Sequence, residues 1–526
     1  MLLEDNKVIT IILIGILLLF LVSKFGVFCY GPDGEFHALG GFFFYDLAKW
    51  WFENPTFSLN NAMDFIVDYQ EHYKFFGGIS YYPPLQSLII AFIAFFTGKN
   101  LMAVYLATAL ETIGIIFFSL KIYEILYGKN QKMMYLLVFL LAVHPVIFLL
   151  GASSSVDPGL TLFSVMMIYF FIQFLKKDEK KYLYLTFIVF GLGILLKRPM
   201  LVMIPVIILS IFLERKFYLF KKNLKPLFLS IIIALLIILP YLALEMWYLD
   251  LGISKMDERT ILASINTDYN IIIKYASLSL FTFFGNYLLI IFFVGKLWYM
   301  RKKRVLGEFT ILLLIISIFI FYNYIIHVQE RYLLPAIPFI IILSVNGIQN
   351  LLKSYPKSLI VSTLVTIILI TTPLISFNYN TTIIKETTST DYEQTAFYIS
   401  ENSLEPTSAI SPYSRYLALA FNLIDEKNVY VVHTPHESKT KSIKELKTML
   451  DTKEGCISRP SKPEWEKFEM CHPPIGWAVV QEEWDGIYVP YKLKDVLEER
   501  DDFCLVNTIE GNIPNRRVFI YRRCYN

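Results

Sequence analysis

Residues 8–45 read VITIILIGILLLFLVSKFGVFCYGPDGEFHALGGFFFY. A run of about twenty apolar residues, long enough for a helix to cross a ~30 Å hydrocarbon core, gives way within a few positions to Asp33, Glu35 and His37. The leader before it carries Glu4, Asp5 and Lys7, and no small-residue cleavage pattern follows. Residues 8–27 therefore read as a retained transmembrane helix and not as a secretory signal. The chain leaves the bilayer straight into acid, acid and histidine. Such a stretch is either a solvated helix exit or a catalytic base held at the membrane face.

The composition sets the class. Of 526 residues, 55% are hydrophobic, 16% aromatic and only 18% charged. Mean hydropathy is +0.51. Soluble domains carry about a quarter charged residues, so the chain reads as a polytopic α-helical membrane protein. A net charge of +3 is no electrostatic footprint for nucleic acid.

Topology follows from lysine and arginine, which concentrate in cytoplasmic loops. Five short basic loops qualify: GKNQK (128–132), KKDEKK (176–181), ERKFYLFKKNLK (214–225), MRKKR (300–304) and KSYPK (353–357). Apolar runs between and beyond them predict crossings near 133–151, 159–175, 182–196, 199–213, 226–247, 271–298, 309–326, 333–351 and 358–377. The turns at 152–158, 197–198, 248–270 and 327–332 then face outward. An odd number of crossings must join the external loop 28–80 to GKNQK. Residues 101–126 are long enough to cross. Residues 83–98 begin with two prolines, hold about fourteen apolar-compatible positions, and suit an interfacial or re-entrant helix. About eleven crossings result, with the N-terminus inside and the C-terminus outside. LAKWWFEN (47–54) reads as part of an interfacial belt helix.

Composition changes after residue 377, which divides the chain into a membrane domain (1–377) and an extracytoplasmic domain (378–526). In the latter, TSAIS, VYVVH, GWAVV and RVFIYRR read as strands, and TDYEQTAFYISEN, YSRYLALAFNL and SIKELKTML as helices. This pattern predicts an α/β or α+β domain. It holds Cys456, Cys471, Cys504 and Cys524. An even count outside the cell suggests two disulfides, with three pairings open. Asn380-Thr381-Thr382 is a glycosylation sequon just beyond the last crossing.

This topology gathers the unusual polar residues on the outer face: Asp33, Glu35 and His37, Asp157 in SSSVDPG, Lys197 and Arg198 in KRP, and His327, Glu330 and Arg331 in HVQERYLLP. Charge at membrane depth is costly and is usually kept for a site. Each residue also has a plainer reading. Asp157 fits a helix N-cap with Pro158 at the first helical position. Lys197 and Arg331 could snorkel, His37 could be an ordinary interfacial histidine, and His144 before Pro145 could serve a kinked backbone. Glu111, in mid-run, fits a structural pair as well as a functional one.

The order of these motifs resembles the GT-C superfamily of membrane glycosyltransferases, in particular the protein O-mannosyltransferase and lipid A aminoarabinose transferase type. The elements that carry the resemblance are a first helix, a long external loop opening on acids (PDGEFH, 32–37), YYPPL (81–85), an Asp-bearing turn, and a late RYLLPAIP (331–338). It spans about residues 8–377. The family often has adjacent acids, whereas Gly34 separates Asp33 from Glu35 here. Trp50-Trp51 is followed by Phe52 rather than Asp, which disfavours an oligosaccharyltransferase.

The resemblance implies a GT-C bundle and transfer of a sugar from a polyprenyl-phosphate donor to an acceptor at the outer membrane face, with inversion. It implies catalytic roles for Asp33, Glu35 and Asp157, with either Asp33 or Glu35 as base. A helix from Pro32 onward places Asp33 and His37 on one face, whereas an extended stretch places Asp33 with Glu35. Lys197, Arg198 and Arg331 are the expected phosphate ligands. His37, Tyr82, His327 and Tyr332 are substrate-binding candidates. No cofactor is required, although Asp33, Glu35, Asp157 and His327 include oxygen and nitrogen donors of the kind a divalent metal takes. The partners are the lipid-linked donor, membrane lipid and an acceptor the residues do not identify. The expected location is the plasma membrane, or the endoplasmic reticulum membrane in a eukaryote. The competing readings are a transporter or flippase of lipid-linked glycans, which would show inverted repeats, and a surface-glycan polymerase or ligase.

Overall fold

The computed structural model describes residues 15–16, 34–53, 83–151, 153, 155–248, 280, 283–324, 330–355, 358–387, 391–403, 406–411, 417, 420, 429–433, 446–448, 450–451, 455–458, 469–472, 474–481, 493–510 and 517–524. The chain forms two compact units. One comprises residues 1–25, 82–86 and 104–383, and the other residues 26–81, 87–103 and 384–526.

The first unit is helical. Its principal helices are α3 (Leu101–Tyr127), α4 (Gln131–Ala142), α5 (Pro145–Gly151), α6 (Asp157–Lys177), α7 (Lys180–Ile194), α8 (Met203–Leu213), α9 (Phe217–Lys222), α10 (Leu224–Tyr248), α11 (Leu288–Met300), α12 (Glu308–Tyr324), α13 (Ile337–Ser354) and α14 (Leu359–Thr387). Two 3-10 turns, Arg198–Val202 and Glu330–Ala336, lead into α8 and α13.

Among the described residues, five helices are long and apolar enough to cross a membrane. The pair α4–α5, bent by 62°, makes a sixth when counted as one span. The break falls at His144-Pro145, where proline lacks the N–H that would continue the ladder. Residues 8–27 lie outside the description apart from Gly15 and Ile16. Other runs that the sequence reads as crossings form shorter helices, such as α11 with 13 residues. A helix of that length reaches only about 20 Å.

Burial orders the bundle. α13 is its core, with Ile337 through Gln349 all buried. α10 and α14 are peripheral, and Leu236, Leu239, Leu359 and Ile370 are exposed on them. Apolar side chains turned outward along helices of spanning length are what lipid tails require. The protein is a multi-pass membrane protein. The sequon at Asn380 lies within α14 rather than beyond it, because that helix runs on to Thr387.

Ion pairs fix the end of the bundle that carries the basic loops. Lys296 of α11 is bonded to Glu308 at the start of α12, and both side chains are almost fully buried (1% and 0% exposed). The ammonium also lies 4.9 Å from the Tyr127 ring centroid. Glu214 accepts the backbone N–H groups of Gly307 (2.9 Å) and Phe309 (3.2 Å). It thereby satisfies donors that the first turn of α12 leaves free. Removing one member of a buried pair costs about 3–5 kcal/mol. Lys296→Met is expected to lower the thermal midpoint in detergent, and Lys296→Met/Glu308→Leu to recover most of the loss.

In the second unit, α1 (Gly34–Glu53) packs on α2 (Leu85–Thr97). Gly40 and Gly41 make the approach close. A Cβ on Gly40 would meet Ser87 Oγ at 2.5 Å, and one on Gly41 would meet Ile90 Cγ2 at 2.5 Å. Lys99 bonds Asp46 at 2.8 Å, and the Tyr45 and Phe95 rings touch.

The same unit contains a five-stranded mixed sheet of order β2-β1-β5-β7-β6. Its strands are β1 (Thr407–Ser411), β2 (Val429–His433), β5 (Ile475–Gln481), β6 (Phe503–Glu510) and β7 (Arg517–Arg523). β1 pairs in parallel with β2 and β5, while β7 pairs antiparallel with β5 and β6. α16 (Leu493–Glu498) contributes Leu493, Val496 and Leu497 to a core with Ile410, Val480 and Phe519. α15 (Asp391–Glu401) packs against β6 and β7.

Cys504 and Cys524 form a disulfide with Cα atoms 5.8 Å apart. A separate antiparallel pair, β3 (Gly455–Ser458) and β4 (Glu469–His472), sets Cys456 opposite Cys471. Of the three pairings open from sequence, this geometry selects one. Peptide mapping without reductant is expected to find a Cys456–Cys471 crosslink beside Cys504–Cys524. Replacing Cys504 with serine is expected to cost about 3 kcal/mol for a loop of this size.

Candidate active site

The polar centre of the helical unit is built at the start of α6. Asp157 is the first residue of that helix and is fully buried. It does not act as the N-cap. That position belongs to Val156, and no side chain caps the helix. The Asp157 carboxylate instead bonds Lys197 and Ser155. Lys197 Nζ donates to Oδ1 at 2.9 Å, and Ser155 Oγ donates to Oδ2 at 2.8 Å. Asp157 N–H donates back to Ser155 Oγ (3.2 Å), and Ser155 N–H to Ser153 Oγ (3.2 Å). Negative charge in the first turn of a helix is also favoured by the helix dipole.

Lys197 is 7% exposed, and its backbone is extended between α7 and the following 3-10 turn. Leu85 N–H donates to Leu195 O at 2.9 Å, which ties the end of YYPPL to the turn before Lys197. Arg198 opens the 3-10 turn, is partly exposed, and lies beside the Tyr241 hydroxyl of α10. The Asp157 turn itself is recessed. Thr108 of α3 donates to Ser153 O at 2.6 Å, and Glu111, one helical turn further along α3, is buried.

The remaining sequence candidates divide in two. Asp33, Tyr82 and His327 lie outside the described residues. Glu35 and His37 sit in the first turn of α1, so the helical reading of this stretch holds from Gly34 onward. Arg331 and Tyr332 sit in the Glu330–Ala336 turn, which packs against α6. For these four only the backbone is described. The structure thus joins Asp157 to Lys197. Ser155, which no motif in the sequence singles out, joins them through Asp157. Among the described residues no group of three His, Cys, Asp or Glu side chains could hold a metal ion.

The fold matches two solved structures along nearly its whole length. The crystal structure of ArnT from Cupriavidus metallidurans in the apo state aligns with a TM-score of 0.62 at 13% identity, covering 98% of each chain. ArnT from the same organism bound to undecaprenyl phosphate aligns with a TM-score of 0.64 at 12% identity, covering 97% of each. The chain thus shares the fold of these two structures. Residues 82–244, which carry YPPL, Asp157, Lys197 and Arg198, match the family model described as dolichyl-phosphate-mannose-protein mannosyltransferase. No curated protein sequence matches the chain.

Proposed function

We propose that the chain is a glycosyltransferase that moves a sugar from a polyprenyl-phosphate donor to an acceptor at the outer membrane face. One observation carries the reading. The segment that matches the mannosyltransferase model holds a buried carboxylate, Asp157, hydrogen-bonded and ion-paired within a GT-C bundle. Charge at membrane depth is usually kept for a site or a pathway.

In this reading the acceptor attacks the anomeric carbon. Asp33 or Glu35 takes its proton as the new C–O bond forms. The bond from that carbon to the phosphate oxygen breaks, and polyprenyl phosphate leaves with the added charge. Direct displacement inverts the anomeric centre. A positioned base contributes about 10²–10⁴ in rate. Cations facing the leaving group contribute through electrostatic stabilisation, and arginine does so with a bidentate grip on phosphate. Arg198 and Arg331 take that role. Lys197 is assigned first to holding Asp157, which orients the acceptor or supports the site. His37, Tyr82, His327 and Tyr332 are the substrate-binding candidates.

The proposed topology has eleven crossings, the N-terminus inside, and the sheet-bearing C-terminal residues outside. Purified protein given lipid-linked sugars of defined anomeric configuration should yield product of the opposite configuration by NMR. Retention would overturn direct displacement. A parallel arm with chelator tests whether a divalent metal takes part.

A further inference from the structure

Four segments of the helical unit meet at Gly159, two residues after Asp157 in α6. A Cβ there would meet Leu196 Cδ1 at 2.9 Å, Gln86 Oε1 at 3.0 Å and Glu111 Oε1 at 3.1 Å. Leu196 immediately precedes Lys197, and Gln86 directly follows the YYPPL motif. The contact around Gly159 therefore brackets the Asp157–Lys197 bond from both of its chain segments. Gln86 is fully buried, and among the described residues neither of its amide atoms has a hydrogen-bond partner. An amide left in that state costs about 1–3 kcal/mol, and such groups are rare in folded proteins. Rotating the amide by 180° exchanges its oxygen and nitrogen with little change in shape. Nε2 then takes the place of Oε1, 3.0 Å from the point a Gly159 Cβ would occupy, and Glu111 Oε1 lies 3.1 Å from that same point.

We propose that Gln86 donates a hydrogen bond to Glu111, and that this pair is a positioning device for the Asp157–Lys197 centre. It joins the end of YYPPL, the middle of α3, the first turn of α6 and the segment before Lys197. Neither residue touches the reacting atoms. Their effect passes through the placement of Asp157. A hydrogen bond to a carboxylate is stronger than a neutral one, and a shift of about 1 Å at a catalytic group can cost about 10²-fold in rate. Gly159 is required because a side chain there would part the two.

The catalytic part of this inference rests on the transferase reading, whereas the pairing itself does not. The test is an exchange cycle: Gln86→Glu, Glu111→Gln, and both together. Gln86→Glu sets two carboxylates face to face. It is expected to lower kcat about 10²-fold with KM within about 2-fold, and to lower the thermal midpoint in detergent. Glu111→Gln, which leaves two amides able to bond, is expected to have the smaller effect. The double variant restores one amide and one carboxylate, and is expected to return kcat and midpoint close to those of the parent. If Gln86→Glu fails to accumulate, accumulation of the double variant is the same rescue. A double variant whose losses equal the sum of the two singles, or which also fails to accumulate, would overturn the pairing. If the parent transfers no sugar, the transferase reading fails, and the midpoints still decide whether Gln86 and Glu111 are coupled.

Discussion

Lys197→Met is expected to destabilise the protein by about 3–5 kcal/mol and to abolish transfer. The Asp157 carboxylate is fully buried and takes a 2.9 Å bond from Lys197. Without that ammonium, much of the cost of burying its charge is no longer offset. The hydrogen bond from Ser155 is a neutral one, worth about 1 kcal/mol. The double variant Asp157→Leu/Lys197→Met separates stability from activity. It is expected to regain most of the lost stability, since an apolar pair of similar volume often replaces a buried ion pair without loss, and to remain inactive. Thermal melts in detergent and transfer assays on the same preparations read the two effects. A Lys197→Met protein as stable and as active as the parent would remove the pair from the site.

The second large effect concerns the first external loop. Asp33→Asn is expected to insert and fold normally and to transfer sugar about 10²–10⁴-fold more slowly if Asp33 is the base. Glu35→Gln is the companion variant. Whichever of the two carries the larger loss in kcat identifies the base. Full activity in both would place proton abstraction elsewhere. The substitutions are nearly isosteric, and α1 is held against α2 by Gly40–Ser87, Gly41–Ile90 and Lys99–Asp46. Their effect on folding should therefore be small.

The sequence made some parts of this architecture readable and hid others for physical reasons. Hydropathy located the helices well, because lipid demands long apolar runs. It did not locate the breaks within those runs. The apolar pattern continues through His144-Pro145, although the backbone changes there. The strands TSAIS, VYVVH, GWAVV and RVFIYRR stand out by β-branched composition, and each is a strand. β6 escaped because Leu505 and Val506 are exposed and a register shift between Leu505 and Asn507 breaks the period-two pattern.

At the site, Asp157 and Lys197 stood out individually as charges at membrane depth. Their bond did not, because it depends on how the start of α6 meets the end of α7, forty residues apart. Gln86 gave no signal of its own. A glutamine after PPL reads as an ordinary polar residue until its full burial and its unbonded amide single it out.

The central claim is transfer from a polyprenyl-phosphate sugar, and phosphorus NMR of the donor tests it most directly. Parent protein incubated with a panel of such donors and candidate acceptors should convert the donor phosphodiester into a phosphomonoester. That signal should be lost in whichever of Asp33→Asn and Glu35→Gln removes the base. A donor phosphodiester that stays intact with every sugar and acceptor, in protein whose fold is verified by its thermal midpoint, would contradict the account.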